Sequence, residues 1–314
     1  MKAIGGYFEL ELNHGKEYHC NAIKLNLART AFEYVLRAKK VKKIFLPYYN
    51  CDVMLNPVMR MEIPYEFYHI DENLEPVFDF KSLKDSDYFL YINYFGLKDR
   101  FVKRLSSLVR NLIIDNSQAF FSKPIPGIDT LYSPRKFFGV PDGGYLYTDK
   151  RLDLIFEQDI SCDRVDHLLI RIDKGAEDGY QFFLQNSNKF IDQPIKTMSK
   201  LTQSLLGNID YKKVLAKRKE NFMFLHDRLH NINVFKIDLS GLTSPMDYPF
   251  LSTNGNNLKI KLIDKKIFVA TYWKNVINIV DADSAETYLT ENLVHLPIDQ
   301  RYDIAELETI LTHL

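Results

Sequence analysis

Between residues 27 and 150, short apolar runs alternate with helical patterns. That alternation restricts the fold more than any other feature of the chain. The runs are KKIFLP, EFYHI, DYFLYIN and NLIID, with IDTLY and YLYT after them. Each is rich in β-branched and aromatic residues and short enough to be a buried strand. Residues 27–39 (LARTAFEYVLRAK) place Leu27, Ala31, Tyr34, Val35 and Ala38 at spacings of three and four. That spacing predicts a helix with one apolar stripe, with Asn26 as its N-cap. A second helical pattern surrounds residues 98–109. Strands alternating with helices predict an α/β fold, a mostly parallel sheet covered on both faces.

After residue 150 the pattern changes. Residues 151–231 read as largely helical, and DYKKVLAKRKENFMFLHDRLH is a long amphipathic helix with Val214, Phe222, Leu225 and Leu229 on its apolar side. Residues 233–314 return to short strands, NVFKI, DYPFL and LKIKLI, and IAELETILTHL is a closing helix. The expected division is a large domain over 1–208, with a helical connection at 151–208, and a small α+β domain over 209–314.

Composition removes several classes of function. The 314 residues carry 41 basic and 41 acidic side chains, so no global positive field favours nucleic acid. An apolar fraction of 46 % excludes a disordered chain. The opening MKAIGGYFELEL has no signal-type apolar region, and no 18-residue apolar window suggests a membrane span. Cys20, Cys51 and Cys162 are too few and too scattered for a disulfide framework. The expectation is a soluble, cytoplasmic protein of a reducing compartment. His226 and His230 stand four apart on the long helix, but without the Glu of HExxH or a third ligand they read as a surface pair, so no metal is expected. The basic run RAKKVKK reads as a solvated helix end.

Residues 112–149, LIIDNSQAFFSKPIPGIDTLYSPRKFFGVPDGGYLYTD, carry the chemistry. The strand LIID delivers Asp115 at its C-terminal end, the edge at which open α/β sheets bind ligands. Gln118 follows in the turn. After IDTLY come Ser133 and Lys136, and then Gly139, Gly143 and Gly144 before YLYT; these glycines read as a flexible turn. A lysine between a strand and a Gly-rich turn, with an acid at a neighbouring strand end, suits pyridoxal 5'-phosphate (PLP). That cofactor needs a lysine amine for its Schiff base and a carboxylate on its pyridinium nitrogen. Its phosphate needs N–H groups at a helix start, for which Ala28, Arg29 and Thr30 are candidates.

The block resembles the cofactor-binding segment of the DegT–DnrJ–StrS family of PLP-dependent sugar aminotransferases. Asp115-Asn116-Ser117-Gln118 is similar to that family's acid, two small residues and Gln or His. Ser133, Lys136 and Gly143-Gly144 follow in the family's order. LNLARTAFEYVLRA is similar to the phosphate-end helix, YINYFGL to a segment with a glycine after an aromatic, KRKENFMFLHDRL to the helix entering the small domain, and LVHLPIDQRY to a closing Leu-Pro segment. The resemblance implies a fold type I PLP-dependent transferase: a three-layer α/β/α large domain with a small C-terminal α+β domain, as a homodimer with shared active sites. It implies transfer of an amino group, typically from glutamate, to a keto group of a nucleotide-linked deoxysugar. Lys136 and Asp115 would be catalytic. Gln118 would lie near the ring hydroxyl and Ser133 near the phosphate, although many members carry that serine at the position of Leu131. The ring-stacking position, usually aromatic, falls on Cys51, with Tyr49 close by. Asn186 and Asn188 are candidates for a loop that reaches the partner's phosphate. Sugar dehydratases of similar type carry histidine in place of the lysine, so Lys136 favours transamination. The alternative is a degenerate homologue serving as a structural or regulatory dimer.

Overall fold

Eight strands make one sheet because their side chains alternate between two apolar surfaces. In a computed structural model describing residues 4–13 and 15–314, they are β1 (Ile23–Leu25), β2 (Lys43–Pro47), β3 (Tyr65–Ile70), β4 (Pro76–Val77), β5 (Asp87–Ile92), β6 (Leu112–Asp115), β7 (Asp129–Tyr132) and β8 (Gly144–Tyr147). Residues 1–3 of the stretch read above for a signal lie outside the described residues. The spatial order is β1-β8-β7-β6-β5-β2-β3-β4. The five central strands β7, β6, β5, β2 and β3 pair in parallel, and β8, β1 and β4 add antiparallel edges.

The two faces of the sheet differ in chemistry. Leu25, Ile44, Leu46, Leu90, Ile113, Leu131 and Leu146 point to one side, where they pack with Ala31, Phe32 and Val35 of α1 (Ala28–Ala38) and with Val58 of α2 (Asn56–Arg60). Phe45, Tyr68, Phe89, Tyr91, Tyr132 and Tyr145 point to the other, beneath α3 (Asp99–Leu105) and Leu206 of α6 (Lys200–Gly207). The period-2 pattern thus sorts an aliphatic face from an aromatic one. Each fully buried side chain contributes roughly 1.5–3 kcal/mol, and a one-residue slip would exchange the two sets.

Between β8 and the second half of the chain stand α4 (Asp166–Asp173) and α5 (Ala176–Asn188), so the helical reading holds from residue 166, whereas 151–165 is mostly irregular. The predicted long helix is α7 (Tyr211–Leu229), and all four of its predicted apolar residues are buried. Val214 joins the aromatic core of the large sheet, while Phe222, Leu225 and Leu229 join a third core formed with β9 (Tyr248–Leu251), α8 (Gly255–Asp264), β10 (Leu293–Leu296) and α10 (Ile304–Leu311). Between α8 and β10 runs α9 (Ala285–Asn292), whose buried Glu286 accepts a hydrogen bond from the Ile70 N–H of β3 at 2.8 Å.

Two predicted strands are not strands. LKIKLI lies inside α8. Leu258 and Leu262 satisfy both a two-residue and a four-residue period, and the tie is broken by tertiary contacts. Lys259 Nζ donates to the Thr290 and Glu291 carbonyls, and Gly255 abuts Asn292 so closely that a Cβ would sit 2.1 Å from its oxygen. NVFKI lies beside β9 without a ladder. Asn233 takes the place of one, accepting from the Phe235 and Leu251 N–H groups and donating to the Pro249 carbonyl.

The Gly143-Gly144 pair is a contact rather than a loose turn. A Cβ on Gly144 would lie 2.3 Å from Leu27 C and O and 2.7 Å from Ala28 N, so only glycine lets the start of α1 rest on β8. Gly143 holds φ +122 and donates to the Asn26 carbonyl. Leu27, not Asn26, is the N-cap residue; Asn26 instead accepts from Thr30 Oγ1 at 2.7 Å and from the Lys196 N–H at 3.2 Å. Gly144→Ala is therefore expected to cost about 3 kcal/mol in denaturant unfolding. Gly139→Ala, whose Cβ would meet only Leu168 Cδ2 at 3.5 Å, should cost far less.

His19 is buried under the same edge, with Nε2 at 2.7 Å from the Phe120 carbonyl and Nδ1 at 3.2 Å from the Tyr147 hydroxyl. Burial pulls its pKa down to about 4 from 6.5. The fold thus holds the neutral ring. Stability is fully present above the unfolded pKa and falls as the pH drops from 6.5 toward 4, by roughly 3 kcal/mol. Melting curves between pH 7 and pH 4.5 should show this fall, and His19→Gln should flatten it.

Candidate cofactor site

Sheet order brings the block's functional groups to one edge. Asp115 ends β6 and pairs in register with Leu131 of β7, so the turn after β7 lies beside it. Pro134 opens a 3-10 turn over Pro134–Lys136 that lifts Lys136 out of the sheet. Lys136 is exposed, with Nζ 5.7 Å from the Tyr272 ring centroid and 6.0 Å from that of Trp273. Ser133 is buried immediately before that turn.

Asp115 is buried and accepts the Ser117 N–H at 2.7 Å, an Asx-type turn that aims the next residues. Burial pushes its carboxyl pKa up, while the Lys136 ammonium and Ser117 oppose the shift. The acid is thus desolvated and lacks a direct cationic partner. Gln118 is also buried. Its Oε1 accepts the Phe95 N–H at 3.1 Å, while Nε2 has no partner. A buried donor left unpaired costs about 1–3 kcal/mol.

Cys51 follows β2 and faces the same space. Burial raises its thiol pKa, and Lys136 acts against that rise. Tyr49 lies deeper, fully buried, with its ring 5.6 Å from Tyr94 and 5.1 Å from Trp273 and its hydroxyl unpartnered. The structure therefore brings Lys136, Asp115 and Cys51 together and sets Tyr49 behind them.

At the α1 end, Ala28 and Arg29 are half-buried and Thr30 is fully buried. The Thr30 hydroxyl donates to Asn26 Oδ1 and accepts the Leu27 N–H at 3.2 Å, so it serves the helix start rather than the open space. Asn186 is buried with Oδ1 unpartnered and Nδ2 near the Pro141 carbonyl, whereas Asn188 is exposed. His230 Nδ1 bonds the His226 carbonyl within α7, with the two rings 5.3 Å apart. Sequence reasoning missed Tyr272 and Trp273. They belong to an irregular C-terminal segment, and nothing local marks them as neighbours of Lys136.

The fold is shared with solved sugar enzymes. A DegT DnrJ EryC1 StrS aminotransferase from Brucella abortus superposes with a TM-score of 0.62 at 13 % identity, covering 93 % of this chain and 84 % of that one. The sugar aminotransferase CalS13 from Micromonospora echinospora gives 0.61 at 14 %, covering 94 % and 86 %. The GDP-4-keto-6-deoxy-D-mannose-3-dehydratase of E. coli, with bound hydrated PLP, gives 0.63 at 15 %, covering 93 % and 87 %. No protein-family model matches the chain, and no curated protein does.

Because its carboxyl is desolvated, Asp115→Asn should leave the melting temperature at pH 7 equal to or above that of the unmodified protein. The raised pKa favours the protonated acid in the fold, so any gap should close as the pH falls. A clear loss of stability at pH 7 would contradict a site held for a ligand. The three-layer α/β chain with its small α+β unit therefore has the fold type I architecture seen in these solved sugar enzymes.

Proposed function

We propose that the protein is a PLP-dependent aminotransferase. In this reading it moves an amino group from an amino acid, glutamate first among donors, to a keto group of a nucleotide-linked deoxysugar for glycan or surface polysaccharide synthesis. The observation that carries the reading is the meeting of Asp115 and Lys136, electrostatically coupled, at one sheet edge of a fold shared with solved sugar aminotransferases.

The residues present fit the cofactor. Asp115 is a desolvated acid awaiting a cation, and Gln118 Nε2 is a buried donor awaiting an acceptor. When bound, PLP supplies an electron sink for the carbon that loses its proton. Asp115 would keep the pyridine nitrogen protonated, because the opposite charges stabilise each other in a dry site. Lys136 Nζ would hold the cofactor carbonyl carbon and, once released, carry a proton between the substrate carbon and that carbon. Gln118 would donate to the ring hydroxyl. Cys51 would pack against the ring with less area than the usual aromatic. Ala28, Arg29, Thr30 and Ser133 would surround the phosphate, with Thr30 acting through the helix start that it fixes.

The reading includes a boundary near residues 208–209, before α7. It includes a homodimer, supported by the apolar surface that α4 and α5 leave exposed: Leu169, Ile172, Tyr180 and Phe183. It includes a cytoplasmic setting, in keeping with three scattered thiols that the structure leaves free.

Titration with PLP should produce an absorbance band in the near-ultraviolet or visible range that Lys136→Ala abolishes. Glutamate should bleach it. Keto-sugar nucleotides should then yield amino sugars, at rates lowered about a thousandfold or more in Asp115→Asn. A folded protein that shows no band at any PLP concentration is not this enzyme.

A further inference from the structure

Two stretches far apart in the chain, KRKENFMFLHDRL and LVHLPIDQRY, meet behind the turn that holds Lys136. Arg218 and Asn221 belong to the first. Both are buried, on α7 between Val214 of the large-sheet core and Phe222 of the third core. Asn221 Nδ2 donates to the Ile298 carbonyl at 3.2 Å and to the Tyr302 carbonyl at 3.0 Å, which fixes the backbone on either side of Gln300. Arg218 Nη1 donates to Gln300 Oε1 at 3.0 Å, and Gln300 Nε2 donates to the Phe137 carbonyl at 2.8 Å. The Arg218 guanidinium also lies 4.6 Å from the centroid of the Phe137 ring.

The residue gripped in this way is the one that follows Lys136. The Phe137 and Phe138 N–H groups both donate to the Pro134 carbonyl, at 3.0 and 2.9 Å, and close the 3-10 turn. One isolated turn fixes many dihedrals for few bonds, so it needs support from outside. The other side of Arg218 reaches toward Gln118. Its Nε and Nη2 donate to the Pro245 carbonyl at 3.2 and 3.1 Å. The next residue, Met246, donates its N–H to the Phe95 carbonyl at 2.8 Å, and the Phe95 N–H is the donor to Gln118 Oε1. All these acceptors of Arg218 are neutral. Asp299 is taken by Arg301, at 2.7 Å from Nε and 2.8 Å from Nη2. Burial pulls the Arg218 guanidinium down to about 10, and Asp299 and Asp247 oppose the fall only through space. A buried cation without an ion pair is a weak source of stability. Its planar fork of donors does let one side chain grip Gln300 and Pro245 at once, which a lysine could not.

We propose that Gln300 and Arg218 are positioning residues for Lys136: the Gln300 amide holds the backbone of the lysine turn through the Phe137 carbonyl, and Arg218 holds Gln300. The inference rests on the cofactor reading above and deepens it. Neither residue touches a reacting atom. Both act through the turn from which Lys136 Nζ would reach the cofactor, so the closing segment of the chain, remote from the sheet edge in sequence, takes part in setting that reach. The stake is geometric, since a reacting group misplaced by about 1 Å can lose on the order of a hundredfold in rate.

Gln300→Glu and Gln300→Leu separate positioning from stability. Glutamate keeps an acceptor for Arg218 but sets a carboxylate oxygen, in place of the N–H donor, against the Phe137 carbonyl. Leucine removes both bonds. Gln300→Glu should therefore melt above Gln300→Leu at pH 7. Amide hydrogen exchange of the full chain without cofactor reads the turn itself. In both variants the Phe137 and Phe138 N–H groups should exchange about fivefold faster or more, while the amides of β6 keep their rates. The PLP concentration that half-fills the absorbance band should rise about tenfold or more in both, and Gln300→Glu should suffer no less than Gln300→Leu. Arg218→Lys, which keeps the charge without the fork, should loosen the same turn; should that chain not fold, the Gln300 pair decides. Defects that track the melting temperature, with Gln300→Glu behaving as the unmodified protein, leave the two residues a structural role and overturn the proposal. Faster exchange with unchanged PLP binding overturns it too, as does no change in either. If the unmodified protein shows no PLP band while both variants still loosen the turn, the cofactor reading falls and the hold on the Lys136 turn stands.

Discussion

The close contact between β8 and the start of α1 is the constraint on which the rest of the site depends. At Gly144 the strand backbone touches the Leu27–Ala28 peptide at a distance that excludes any Cβ. Because β8 pairs with β7 and β7 with β6, that one contact sets three things side by side. They are the uncapped N–H groups of α1, the turn that carries Lys136, and the strand end that carries Asp115. A bulkier residue at 144 would push the start of the helix off the sheet.

The site holds charge that the folded chain does not fully compensate. Asp115 is a desolvated acid, and Arg29 and Arg135 are crowded cations. Gln118 Nε2 is a buried donor with nothing to bind. Such groups lower stability, and they remain in place because the surrounding packing over-determines them. The aromatic side of the sheet and the third core, joined along α7, supply that packing. Asp115 and the arginines thus carry charge of opposite sign that the fold leaves incompletely balanced. The chain's net charge is zero, so these charges act locally and not as an overall field.

The alternation of residues 27–150 was legible because period-2 burial leaves a strong mark: Ile44 and Leu46 against Phe45, Ile113 against Leu112 and Ile114. LKIKLI was misread because leucines at 258 and 262 suit a strand and a helix equally, and only the fit of Gly255 against Asn292 distinguishes them. Gly143 and Gly144 were legible as glycines of the site but not as a contact, since the Leu27–Ala28 peptide that Gly144 abuts lies more than a hundred residues earlier in the chain.

The sequence by itself determined the class of sheet, the order of Asp115, Gln118 and Lys136 along it, and the kind of chemistry those side chains can perform. These rest on local periodicity and residue type, which short windows contain. Only the tertiary structure decided that Thr30 is spent on its own helix, that Tyr49 stands behind Cys51, that Tyr272 and Trp273 face Lys136, and that Arg135 meets Arg164 over one phenylalanine ring. Those outcomes depend on contacts between segments far apart in the chain, and no local window carries information about which distant side chain will occupy a given space.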